Sequence, residues 1–172
     1  MAGIKDAITD LLAKLQTSSI SFARVWNNQL EYIEAQQIEA IPFPCAFVEV
    51  ASPSDYAQLA FGVTVSDIVF RVHVCAVEMD AADGTIGQNL SIFTLRDEII
   101  ALLTGFQLSG CSSLMKTSES QDYAHTNIYH YILEFTCSFI DNKGDSRQSE
   151  TESIPPTVLE INPITIVTEI TT

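Results

Sequence analysis

Carboxylate and imidazole groups together can hold a metal ion or move a proton, and one stretch of the chain carries them near each other: Asp122, His125 and His130, with Asp141 beyond. Their spacing argues against a shared site. Asp122 and His125 fall in a polar stretch, Glu119 to His125, that reads as a loop, while His130 lies on the more polar side of the strand that follows. These intervals match no ligand motif. The third histidine, His73, alternates with apolar neighbours on another strand and reads as an edge or interface residue. The expectation is no catalytic residue, no metal ligand and no cofactor site.

Other chemistry is equally hard to place. The four cysteines, Cys45, Cys75, Cys111 and Cys137, are far apart and form no C-x-x-C pair, so they lack zinc spacing. Three stand in apolar runs, where a reduced thiol behaves as a small buried hydrophobe. A nucleophile elbow requires G-x-S-x-G between strand and helix, and a phosphate loop requires a Gly-rich turn ending in Lys-Ser or Lys-Thr. Neither occurs. The serine cluster Leu108-Ser109-Gly110-Cys111-Ser112-Ser113 follows a helix rather than preceding one. A small hydrolase or isomerase is the disfavoured enzyme alternative.

The elements that must position these residues read as one α+β domain over residues 1–146, followed by an extended acidic arm over 147–172. Ile4, Ile8, Leu11, Leu12 and Leu15 mark one face of a first helix, from Gly3 to Gln16. Ile20 to Trp26 is strand-like, Asn27-Asn28 a turn, and Leu30 to Ile33 a short return strand. Cys45 to Val50 follows two prolines as a strand, and Ala51 to Phe61 is a loop or hairpin arm in which Phe61 is suited to a contact. Gly62 to Glu78 is strand-like for too long to be covered by one small domain. A second helix runs from Ile86 to Leu103, with Ile92, Leu95, Ile99 and Leu102 widening its apolar face and Gly105 placed for a left-handed cap. Strands at Ser112 to Ser118 and Ile128 to Ile140 complete a mixed, mainly antiparallel sheet flanked by two helices. Trp26 reads as closing one end of the core.

The 172 residues include eight basic and twenty-two acidic ones, for a formal charge of −14. That balance opposes a DNA-gripping surface, because phosphate binding depends on Lys and Arg. It suits a wall past which DNA slides without sticking. Charged residues are 17% of the chain against about 25% in an ordinary soluble domain, so apolar surface is expected to meet another protein. No basic-then-apolar signal sequence and no long apolar run is present, so synthesis in a cytoplasm is expected, with no membrane partner. In the arm, Pro155, Pro156 and Pro163 punctuate β-branched runs, and Ile164, Ile166 and Ile170 are suited to docking on a sheet edge, more so of a neighbour than of their own domain.

Taken in order, the first amphipathic helix, Val25-Trp26-Asn27-Asn28-Gln29-Leu30, Pro42 to Val50, Phe70-Arg71-Val72-His73-Val74, Leu95 to Phe106 and Tyr129 to Asp141 resemble small proteins encoded among phage and prophage tail genes of Bacteroidetes. These are similar to tail-terminator or tail-completion proteins. The resemblance spans most of residues 1–141 and excludes the arm. It implies a small mixed sheet flanked by helices, copies assembled in a ring, typically six-fold, that caps the tail tube and joins it to the head connector, and a place in the virion. Its partners are then further copies, the tail tube protein and a connector or neck protein, with DNA passing through unbound. A head–tail adaptor or neck ring protein shares nearly all these features. The subunit or partner interface is expected to draw on Phe61, Arg71, His73, Ile92, Leu95 and Ile99, with Ile164, Ile166 and Ile170 from the arm.

Overall fold

The computed structural model describes residues 3–35, 41–51, 55–77, 90–125 and 128–145. Helix α1 (Ile4–Leu15) forms where apolar residues recur at helical spacing, and it buries Ala7, Leu11 and Leu15. Asp6 accepts the Gly3 amide at 2.7 Å and complements the positive first turn, while Lys14 lies in the last.

Among the described residues six strands make one sheet: β1 (Phe22–Val25), β2 (Cys45–Ala51), β3 (Ala57–Gln58), β4 (Thr64–Ala76), β5 (Met115–Asp122) and β6 (Tyr129–Asp141). The order is β1-β2-β4-β6-β5, with β3 paired to the start of β4. β1 and β2 are parallel and every other pairing is antiparallel. This is the mixed, mainly antiparallel α+β architecture expected. The long strand is covered, however. β4 pairs with β6 along its whole length, from Thr64↔Asp141 to Ala76↔Tyr129, so a second long strand covers what a short one could not.

Alternation sends the side chains of each strand to two faces. Ile68, Phe70, Val72 and Val74 of β4 join Ala46 and Val48 of β2 and Leu133, Phe135 and Cys137 of β6 under α1 and α3 (Ser91–Leu103). Ile92, Leu95 and Ile99 of α3 are buried in this same core. Their assignment to an intersubunit surface is therefore corrected: the wide apolar face is covered by the sheet, by α1 and by Phe106, Leu108 and Leu114 of the segment after α3. Gly105 does take the left-handed conformation, φ +80°, just past α3.

The other face carries Phe47, Cys45, Cys75, Leu30 and Ile128, with Phe22, Trp26, Ile33 and Phe43 against them. Its cover is α2 (Gln29–Glu34), where a return strand was expected. Leu30 and Ile33, three apart, both turn toward this cluster, and Glu31 and Tyr32 between them stay exposed, a helical rather than an alternating pattern. Among the described residues the sheet thus has two α-helices on one face and a short third on the other. All four cysteines are buried free thiols, and burial pushes the Cys75 thiol well up. The arm, including Ile164, Ile166 and Ile170, lies outside the described residues, as do the first residues of the expected second helix.

Candidate functional site

On the α2 face of the sheet, three adjacent strands place polar residues in matching register. Glu49 of β2, Arg71 of β4 and Glu134 of β6 stand in one row. Arg71 Nε donates to Glu134 Oε1 at 2.8 Å and Nη1 to Glu49 Oε2 at 3.4 Å. Two residues along, His73 continues the line: its Nε2 is 3.3 Å from Glu49 Oε2, and its Nδ1 is 2.8 Å from His130 Nε2. His130 Nδ1 in turn lies 3.1 Å from Asp122 Oδ2, its cross-strand partner on β5. His125, in the turn beyond β5, brings Nε2 to 3.8 Å from the same oxygen. All three histidines of the chain therefore meet in one cluster, together with Asp122 and Glu49.

The pair at its centre is deeply placed. His73 is 4% and His130 2% exposed, and the Trp26 ring lies flat on His73 with centroids 4.1 Å apart. Burial, then the neighbouring His130, holds the His73 imidazolium down, to a pKa of about 4. Burial likewise lowers His130, against the pull of Asp122. The amide of Ala124, donating to Asp122 Oδ1 at 2.9 Å, keeps the Asp122 carboxyl below its usual range, and His130 adds to this. Both central rings are thus neutral at neutral pH.

Counting protons over this line exposes a mismatch. Three contacts, Glu49–His73, His73–His130 and His130–Asp122, each need one hydrogen between their atoms. Two neutral imidazoles carry one N–H each. The carboxylates are acceptors, one paired with Arg71 and the other holding the Ala124 amide. One of the three contacts therefore sets lone pair against lone pair unless a cation enters.

Asp122, His125 and His130 do converge, with donor atoms within 4.8 Å of one another. Sequence spacing kept them apart because the polar stretch from Glu119 was read as loop. In the structure β5 continues to Asp122, and the hairpin register sets it opposite His130. His73 is corrected from edge or interface to the buried centre of the sheet. Arg71 is engaged by both neighbouring glutamates, and Phe61 is exposed at the far end of the sheet. Glu49 and Trp26 were missed as neighbours of the histidines; the available signal was the shared parity of Arg71 and His73 on one strand and of His130 and Glu134 on another.

An apolar recess of about 510 Å³ also opens beside α3, lined by Phe43, Pro44, Val77, Leu90 and Leu95. Its polar edge is already joined, Glu98 accepting the Ser19 amide at 2.9 Å. No family model matches this chain, and no curated protein matches it either.

Proposed function

We propose that the chain is a structural subunit of a phage tail, forming a ring at the head-proximal end that terminates the tube and joins it to the head connector. Support begins with the resemblance, whose implied fold, a small mixed sheet flanked by helices, matches the architecture described above. The observation that carries the reading is the arm formed by β3, the 3₁₀ turn Ala60–Gly62 and the start of β4. Tyr56, Leu59 and Phe61 are exposed along it, Phe61 by 56%.

Phe61 also has φ +63°, a left-handed conformation that costs a non-glycine residue about 1–2 kcal/mol. Gly62 follows at φ +84° and packs backbone to backbone on the turn after β6, where an added Cβ would stand 2.3 Å from the Gly144 carbonyl oxygen. The arm is thereby fixed on the sheet, and strain is spent to present an aromatic ring outward. Rigid exposed aromatics are the usual anchors of a protein interface. The charge of −14 fits a ring through which DNA passes without binding. Position in the particle separates a terminator from a neck adaptor.

Electron microscopy and sedimentation of the full-length protein test the reading. Rings are expected, and Tyr56→Ala with Phe61→Ala should return them to single subunits while the circular dichroism spectrum is unchanged. A parent protein that stays monomeric at high concentration, or a double variant that forms rings equally well, overturns it.

A further inference from the structure

We propose that Asp122, His125 and His130 form a binding site for a divalent transition-metal ion of the zinc class, with His73 and Glu49 as its outer support. The ligand atoms are Asp122 Oδ2, His125 Nε2 and His130 Nδ1. Tetrahedral zinc with bonds of about 2.0–2.1 Å sets neighbouring donors about 3.3 Å apart. The separations of 3.1 Å and 3.8 Å around Asp122 Oδ2 lie on either side of that value. The third side, between His125 and His130, is within 4.8 Å, and an inward movement of the His125 side chain would complete the triangle.

The orientation of each donor is already set. Asp122 Oδ1 is tied to the Ala124 amide, which leaves Oδ2 aimed at the two imidazoles. His130 is held through its opposite nitrogen by His73, and His73 by Glu49. A ligating histidine that donates its second N–H to an acceptor backed by a carboxylate is the outer support that metal sites use to fix tautomer and ring direction.

With a metal between His130 Nδ1 and Asp122 Oδ2, His130 Nε2–H donates to His73 Nδ1 and His73 Nε2–H donates to Glu49, so two protons serve two hydrogen bonds. Two imidazoles and one carboxylate suit zinc, nickel or cobalt better than magnesium or calcium, which take oxygen donors. The fourth tetrahedral position is left for water or a donor atom from a bound molecule. The site does not depend on the ring reading, and either can fail alone.

Untagged full-length protein, stripped with EDTA and titrated with Co²⁺, provides the test. One ion per chain is expected, with the visible absorption of four- or five-coordinate cobalt, displaced by Zn²⁺. Trp26, the chain's single tryptophan, stacks on His73 and lies 5.8 Å from the His130 ring, so its fluorescence should fall with the same stoichiometry. Asp122→Ala and His125→Ala, at side chains 35% and 11% exposed, should each weaken binding by about tenfold or more, and together abolish it. No stoichiometric uptake of Co²⁺ or Zn²⁺ by the parent overturns the site, as does parental affinity in the folded double variant. Should the double variant fail to fold, His125→Gln decides alone: undiminished affinity in it also overturns the site.

Discussion

On one face of β4 the side chains are Ile68, Phe70, Val72 and Val74; on the other, the residues between them are Val69, Arg71, His73 and Cys75. The same strands thus bury two different things. The α1/α3 face needs only apolar volume in the right places, and its members support one another without direction. The α2 face needs particular atoms to meet, and each contact depends on where the next proton sits. Buried polar groups contribute little net stability and are costly when one partner is lost. Leucines at these positions would fill the same space without depending on where a proton sits.

The largest expected effect lies on the apolar face. Phe70 and Phe135 are fully buried cross-strand partners, and Phe70→Ala should lower the unfolding free energy by about 3–5 kcal/mol, seen as a lower denaturant midpoint. Arg71→Ala, one residue along and 40% exposed, should cost about 1 kcal/mol or less. Comparable losses at the two positions would break the contrast between the faces.

An intermediate effect sharpens it. In metal-free protein at neutral pH, His73→Leu leaves the buried His130 Nε2 without its partner, while Glu49 keeps Arg71, and should cost about 1–3 kcal/mol. Replacing His130 by Leu as well removes the buried group left unpaired, so the double variant should be more stable than the sum of the two single losses by about 1 kcal/mol or more. Strict additivity in that cycle would mean that the two rings do not act as one unit.

Much of this contrast was legible in the sequence, and the residues that escaped did so for physical reasons. The apolar face announces itself, since Ile68, Phe70, Val72 and Val74 alternate on one strand and Leu133, Phe135 and Cys137 on another. The histidine cluster does not. β5 is an edge strand with no buried residue, so it lacks the apolar alternation by which strands are recognised, and its bulge between Lys116 and Ser118 breaks what pattern remains. Once β5 is cut short, Asp122 becomes a loop residue and its pairing with His130 disappears from view. Leu30 to Ile33 misled in the opposite way, because four residues with two apolar positions fit either period until the cluster they cover is known. The burial of Ile92, Leu95 and Ile99 likewise depends on α1 lying beside α3, which no local pattern contains.

The smallest effect belongs to the partly exposed contact between α3 and β5. Arg96 of α3 reaches Glu119 of β5 with Nε at 3.0 Å and Nη2 at 2.5 Å, and Lys116 adds a contact at 2.8 Å. These partners, Arg96 first and Lys116 second, hold the Glu119 carboxyl below its ordinary 4.5. A carboxyl depressed in the folded protein binds its proton more readily once unfolded, so the stabilisation is complete above about 4.5 and fades as the pH falls through the lower folded value. Because the pair is partly solvated, screening limits its worth to about 0.5–1 kcal/mol. Glu119→Gln should therefore lower stability by about that amount at neutral pH and show a shallower loss on acidification than the parent as the pH falls below about 4.5, with the difference shrinking in high salt. Equal acid slopes for parent and variant, or a deficit that persists unchanged in high salt, would show that this ion pair is not the screened contact described and that the buried imidazoles are not what separates the two regions.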